Sequence, residues 1–92
     1  MKTTTDGKRY NTETCERLAS FDHSNNGNYS GTSALYVAKD GVFLVKTTSN
    51  GQDLYLHDSL AICENPAAWL EGVELDDIEE ERVIELGILE AV

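Results

Sequence analysis

Positive charge is scarce in this sequence. Seven lysines and arginines stand against seventeen aspartates and glutamates, a formal net charge of −10. That deficit argues against direct binding to DNA or RNA, which needs a basic surface to neutralise phosphates. Long apolar runs are missing too. No segment approaches the roughly 20 residues of a membrane span, and Lys2, Lys8 and Arg9 have no apolar stretch behind them, as a secretory signal requires. A cytoplasmic protein without a membrane partner is therefore expected. Cysteine is scarce. Cys15 and Cys63 lack Cys-x-x-Cys spacing and read as small core residues with free thiols in a reducing compartment. A bridge from the first strand to the segment before the helices stays open as the alternative.

The equipment of catalysis is equally thin. His23 beside Asp22 and His57 beside Asp58 are the only histidines. Neither has a second His or Cys at zinc-ligand spacing, so both read as exposed loop residues. No nucleophile motif accompanies the serines and cysteines, and no glycine loop is shaped for phosphate. The acids from Asp76 to Glu81 lack the alternating ligands and central glycine of a calcium loop. No enzyme, metal or cofactor is expected.

What is present suits one small folded domain of 92 residues, 40% of them apolar. Its seed is residues 34–47, where two β-branched and aromatic runs flank Asp40-Gly41. Asp-Gly favours a type I′ turn, whose two central residues both need positive φ, so Leu35 to Lys39 and Val42 to Lys46 are expected to pair antiparallel. Residues 1–9 read as a flexible polar end. Thr14 to Phe21 suits either a short helical stripe or a strand; the run is too short for its period to decide, and the strand is preferred. Residues 22–33, rich in Asn, Gly and Ser, read as a loop, and Thr47 to Gln52 as a second turn. Asp53 to His57 and Leu60 to Cys63 are expected to extend the sheet, so that residues 10–63 are mainly strands.

Beyond Cys63 the signals become helical. Asn65-Pro66 sets a capping residue before a proline at the first helical position, giving a short helix from Pro66 to Glu71 that Gly72 stops. A second helix begins at Asp76 or Asp77, each three residues before a Glu in capping-box spacing, and ends near Leu86 at Gly87. On a helical wheel Leu75, Ile78, Leu86 and Leu89 form one stripe with Arg82 inside it, read as core; Ile84, Ile88 and Val92 form an opposite edge that offers a dimer or partner surface. The expected fold is α+β, an antiparallel sheet of three to four strands with two C-terminal helices.

Tyr10-Asn11-Thr12-Glu13-Thr14, then Leu35-Tyr36, then Gly41-x-Phe43-Leu44, then Ala67-x-Trp69-Leu70-Glu71 make a pattern over residues 10–71. It resembles small proteins of bacterial plasmids, phages and integrated elements, with Lys46 to Gly51 where those usually carry a glycine-rich stretch. The resemblance implies a mobile-element context, in which small acidic proteins often block host defences, CRISPR effectors among them.

The charge is unevenly placed. Residues 64–92 hold ten acids against Arg82 alone, a net of −9, while the first 63 residues hold seven acids and six bases, a net of −1. Such asymmetry speaks to partners. The candidate binding residues are Glu74, Asp76, Asp77, Glu79, Glu80, Glu81 and Glu85; a helix showing Glu74, Asp77, Glu80, Glu81 and Glu85 on one face would present carboxylates at intervals that partly imitate a row of phosphates. The expected function is an inhibitor, anti-CRISPR-like, that occupies the basic surface of a host nucleic-acid-binding protein without touching nucleic acid itself. The alternative is a non-catalytic partner-binding or oligomerising module, with a homodimer as one form. Its contacts would run through Tyr36, Phe43, Tyr55 or the Ile84 to Val92 edge. A solvated acidic face with no partner is the plainest reading.

Overall fold

A computed structural model describes residues 2–25, 27–49 and 58–92. Among them the chain runs β1 (Lys2–Thr5), β2 (Lys8–Asn11), a 3-10 turn (Thr12–Thr14), β3 (Glu16–Asn25), β4 (Asn28–Val37), β5 (Phe43–Ser49), β6 (Ser59–Ile62), α1 (Pro66–Leu70) and α2 (Asp77–Glu85). Strands β3 to β6 form one antiparallel sheet in chain order, and β1 and β2 form a separate hairpin. The α+β expectation holds at that level. Of the two expected C-terminal helices, α2 is nine residues long, while α1 is a single five-residue turn.

The type I′ signature belongs to a different Asp-Gly pair from the one singled out by sequence. Asp6 and Gly7 take φ of +50° and +75° and close β1 onto β2, the positive pair that such a two-residue hairpin turn requires. Residues 2–9 thus carry a regular hairpin where a flexible end was expected. At the central hairpin only Gly41 is left-handed, at +88°. The connection there is a longer loop, closed by Gly41 N–H donating to the Ala38 carbonyl at 3.0 Å and Ala38 N–H to the Val42 carbonyl at 2.8 Å. Asp40 serves it through its side chain: Oδ1 accepts from Val42 N–H at 3.1 Å, and Oδ2 accepts from Lys8 Nζ at 3.1 Å and Tyr10 Oη at 2.9 Å. One carboxylate so ties the first hairpin to the central one, and its pKa is lowered, first by the Val42 backbone bond.

Residues 22–33 are the second correction. They continue β3 and β4 out to Asn25↔Asn28, with one register shift between His23 and Ser24, so the expected loop is the far half of a long hairpin. Polar residues stay in the strands because they pair across them. Thr32 donates to Asp22, His23 Nε2 lies 2.6 Å from Ser33 Oγ, and Ser33 Oγ lies 3.2 Å from Thr47 Oγ1. Thr47–Ser49 likewise belong to β5 rather than to a turn. The expected strand at Asp53 to His57 lies outside the described residues; the one at Leu60 is β6.

The sheet buries one face under the C-terminal segment. Register aligns Leu35 with Val45 and Val37 with Phe43, and alternation puts these four on the same side. Leu18, Ala19, Leu35, Val37, Leu70 and Val83 form the buried cluster, with Cys63, Trp69, Leu75, Leu86, Ile88 and Leu89 packed against it. A register shift between Arg17 and Ala19 lets both Leu18 and Ala19 be buried, as a bulge does by re-aiming a side chain. Cys15 and Cys63 are half-buried free thiols, so the disulfide alternative does not hold.

Candidate functional site

The acidic segment is organised by α2, and its start is built as the sequence indicated. Asp76 Oδ1 accepts from Glu79 N–H at 2.7 Å, and Glu79 Oε1 accepts from Asp76 N–H at 3.1 Å. This reciprocal pair satisfies two of the donors a helix start leaves open, and the acids of the first turn sit favourably at the positive end of the dipole. At the other end Gly87 N–H reaches the Ile84 carbonyl and Ile88 N–H the Val83 carbonyl, both at 3.0 Å, the paired bonds of a Schellman stop.

Leu75, Leu86 and Leu89 of the expected stripe pack on the core, but Ile78 does not, and the fully buried residue of α2 is Val83, which the stripe left out. Val83 is 0% exposed, while Ile78 is 79% exposed. With Val83 inward, the 100° step per residue puts Asp77, Glu81 and Glu85 on an outward line at intervals of four. Glu80 and Ile84 flank that line on one side and Ile78 on the other. Ile78 is exposed because it lies about 140° around the helix from Val83. Arg82 leaves the helix edge to grip Glu16 of β3, Nε to Oε2 at 2.7 Å and Nη2 to Oε1 at 2.8 Å, and reaches Glu85 Oε2 at 3.1 Å. The bidentate contact lowers the Glu16 pKa and raises that of Arg82.

The seven candidate carboxylates therefore do not act alike. Asp77, Glu80 and Glu81 share the exposed side of α2. Asp76 and Glu79 are held in the capping box, and Glu85 is held by Arg82. Glu74 precedes the helix and lies apart, correcting its placement on the helical face; with Glu71 it lines a groove of about 630 Å³ beside Phe21 and Trp69.

That groove went unread in the sequence. Phe21 and Trp69 meet at a centroid distance of 5.4 Å, tilted by 44°, and the His23 ring stands 5.0 Å from Phe21, edge to face. Once β3 is known to continue to Asn25, the two-residue spacing of Phe21 and His23 places both on one side; a loop over residues 22–33 hid that signal. His23 is accordingly half-buried in a strand, not exposed in a loop. Its contact with Ser33 has the length nucleophilic catalysis requires. The serine is only 4% exposed and also meets Thr47, so the contacts run across β3, β4 and β5. His57 lies outside the described residues. Among the described residues no three His, Cys, Asp or Glu side chains gather as metal ligands, and no helix is long and apolar enough to cross a membrane.

Of the apolar candidates, Phe43 packs into the core and Tyr36 is half-buried; Tyr55 lies outside the described residues. Ile88 also packs on the core, leaving Ile84 and Val92 beside a shallow groove that Val73, Leu75 and Leu89 help to line. Comparison with protein-family models, curated proteins and solved structures finds no match.

Proposed function

We propose that this protein is a non-catalytic inhibitor whose acidic helix face occupies the basic, nucleic-acid-binding surface of a partner protein. A host defence complex of the CRISPR type is the leading target class, on the strength of the mobile-element resemblance. The observation that carries the reading is the placement of charge. Asp77, Glu80 and Glu81 project from one exposed side of α2 with no cation paired to them among the described residues, while Arg82, the only base of residues 64–92, is turned away to Glu16. From Asp77 to Glu81 the helix advances about 6 Å and shows these three unpaired acids, an average spacing of about 3 Å. A single nucleic-acid strand presents one per 3.4 Å of axis. Such a face steers a basic partner by long-range attraction.

The groove at Ile84 and Val92 favours a second reading, an apolar contact that forms a homodimer or holds another protein. Salt separates the two, since exposed charges more than about 10 Å apart are largely screened at 0.1 M ionic strength. The test is capture of bacterial proteins on the immobilised chain at low and moderately high salt, with an Asp77→Asn, Glu80→Gln, Glu81→Gln variant alongside. Glu79 is left intact so that the cap survives. Mimicry expects nucleic-acid-binding proteins to be retained at low salt and lost in both other samples. Retention that survives high salt and the variant equally would transfer the function to the apolar edge.

A further inference from the structure

We propose that the groove between β3 and α1 receives an arginine side chain of the partner, making it the specific anchor beside a diffusely acidic helix. The inference rests on the reading above that the partner is basic. Phe21 stands at the groove with 37% of its surface exposed, although a phenylalanine on the core-facing side of a strand is ordinarily covered. Trp69 lies against it, so two aromatic rings border one wall. Val73 adds apolar surface, and Glu71 and Glu74, both exposed, supply two carboxylates to the same groove. Neither carboxylate has a cationic partner among the described residues.

This combination fits one kind of side chain. An apolar or aromatic occupant would leave Glu71 and Glu74 facing uncharged surface, and an acidic one would be repelled. A guanidinium satisfies both halves, because its plane stacks on aromatic faces while its fork of donors reaches carboxylates two at a time. An ammonium is a strongly hydrated point charge and stacks less well. The complementarity also agrees with the surroundings, since Glu64, Glu71, Glu74, Asp76 and Asp77 follow one another along the chain without an intervening base.

Trp69 is the only tryptophan, so its fluorescence reports on this groove alone. A labelled oligo-arginine peptide is titrated into the protein, with oligo-lysine and neutral oligo-citrulline for comparison, following Trp69 emission and peptide polarisation together. The expected result is a saturable Trp69 change with oligo-arginine, affinity roughly three- to tenfold weaker with oligo-lysine, and none with oligo-citrulline. Phe21→Leu keeps apolar packing but removes the ring face, and Glu71→Gln with Glu74→Gln removes the carboxylates; each is expected to weaken the Trp69-reported affinity by roughly three- to tenfold. Polarisation that rises while Trp69 stays silent, and is lost in the Asp77, Glu80, Glu81 variant, would overturn the groove and leave the helix reading standing. A Trp69 response of unchanged affinity in that variant would support the groove and count against the helix. Equal binding of oligo-citrulline, or none of oligo-arginine, would overturn the arginine site.

Discussion

Replacing Val83 with alanine should loosen α2 from the sheet, and the size of the effect follows from burial. The side chain is completely enclosed and belongs to the cluster of Leu18, Leu35, Val37 and Leu70. Two methyl groups are lost, at about 0.8 kcal/mol each for transfer, and the space they leave adds a cavity penalty, for a total of about 2 to 3 kcal/mol. Domains of this size hold about 5–15 kcal/mol in all, so the variant should still fold at room temperature. Its melting temperature should fall by roughly 10 to 20 °C, at about 4–8 °C per kcal/mol. Ile78→Ala is the matched control. It removes more apolar volume from the same helix, yet at 79% exposure it should change stability by less than about 0.5 kcal/mol. Urea unfolding followed by circular dichroism measures both. Equal losses in the two variants, or a larger loss at Ile78, would refute the orientation of α2 and with it the grouping of Asp77, Glu80 and Glu81 on the outer side.

Two further outcomes follow from particular contacts. Asp76→Ala removes the reciprocal cap with Glu79 and should cost about 1 kcal/mol in the same unfolding measurement, whereas Asp76→Asn should recover most of it. The Glu16 carboxyl, held by Arg82 below its ordinary range, should titrate low in carbon-detected NMR and return to the ordinary value in Arg82→Gln. Because its folded-state pKa is depressed, the stability it contributes is fully present above the unfolded value, near pH 4.3, and is lost as pH falls through the folded value. A Glu16 titration unchanged by Arg82→Gln would show that the pair does not form in solution.

The parts of the fold legible in sequence were those governed by local chemistry. Asn65-Pro66 and Asp76 with Glu79 act within one helical turn, and both helix starts stand at those residues. The central hairpin was legible for the same reason, through β-branched runs and a left-handed glycine. The choice between two Asp-Gly pairs was not, because Asp6 is flanked by threonines and charges rather than apolar residues, and its hairpin is secured at a distance by Asp40. Residues 22–33 have the composition of a loop; only the pairing of Asp22, His23, Thr32 and Ser33 across strands, extended to Thr47, makes them sheet. The wheel was right for Leu75, Leu86 and Leu89 but not for Ile78 and Val83, because Arg82 at its middle turns to Glu16, 66 residues away, rather than into the core. For the site, the position of the acids was legible, while their division among cap, ion pair, groove and free face depended on tertiary neighbours.

The most direct test of the central claim is competition for a nucleic-acid-binding surface. A basic protein captured on the wild-type chain at low salt is incubated with a fluorescent oligonucleotide, and the chain is titrated in at constant ionic strength while oligonucleotide polarisation is read. The expected result is full displacement by the wild-type protein and little by the Asp77→Asn, Glu80→Gln, Glu81→Gln variant at the same concentration. Binding of the chain that leaves the oligonucleotide in place, or displacement undiminished in the variant, would contradict nucleic-acid mimicry by the α2 face.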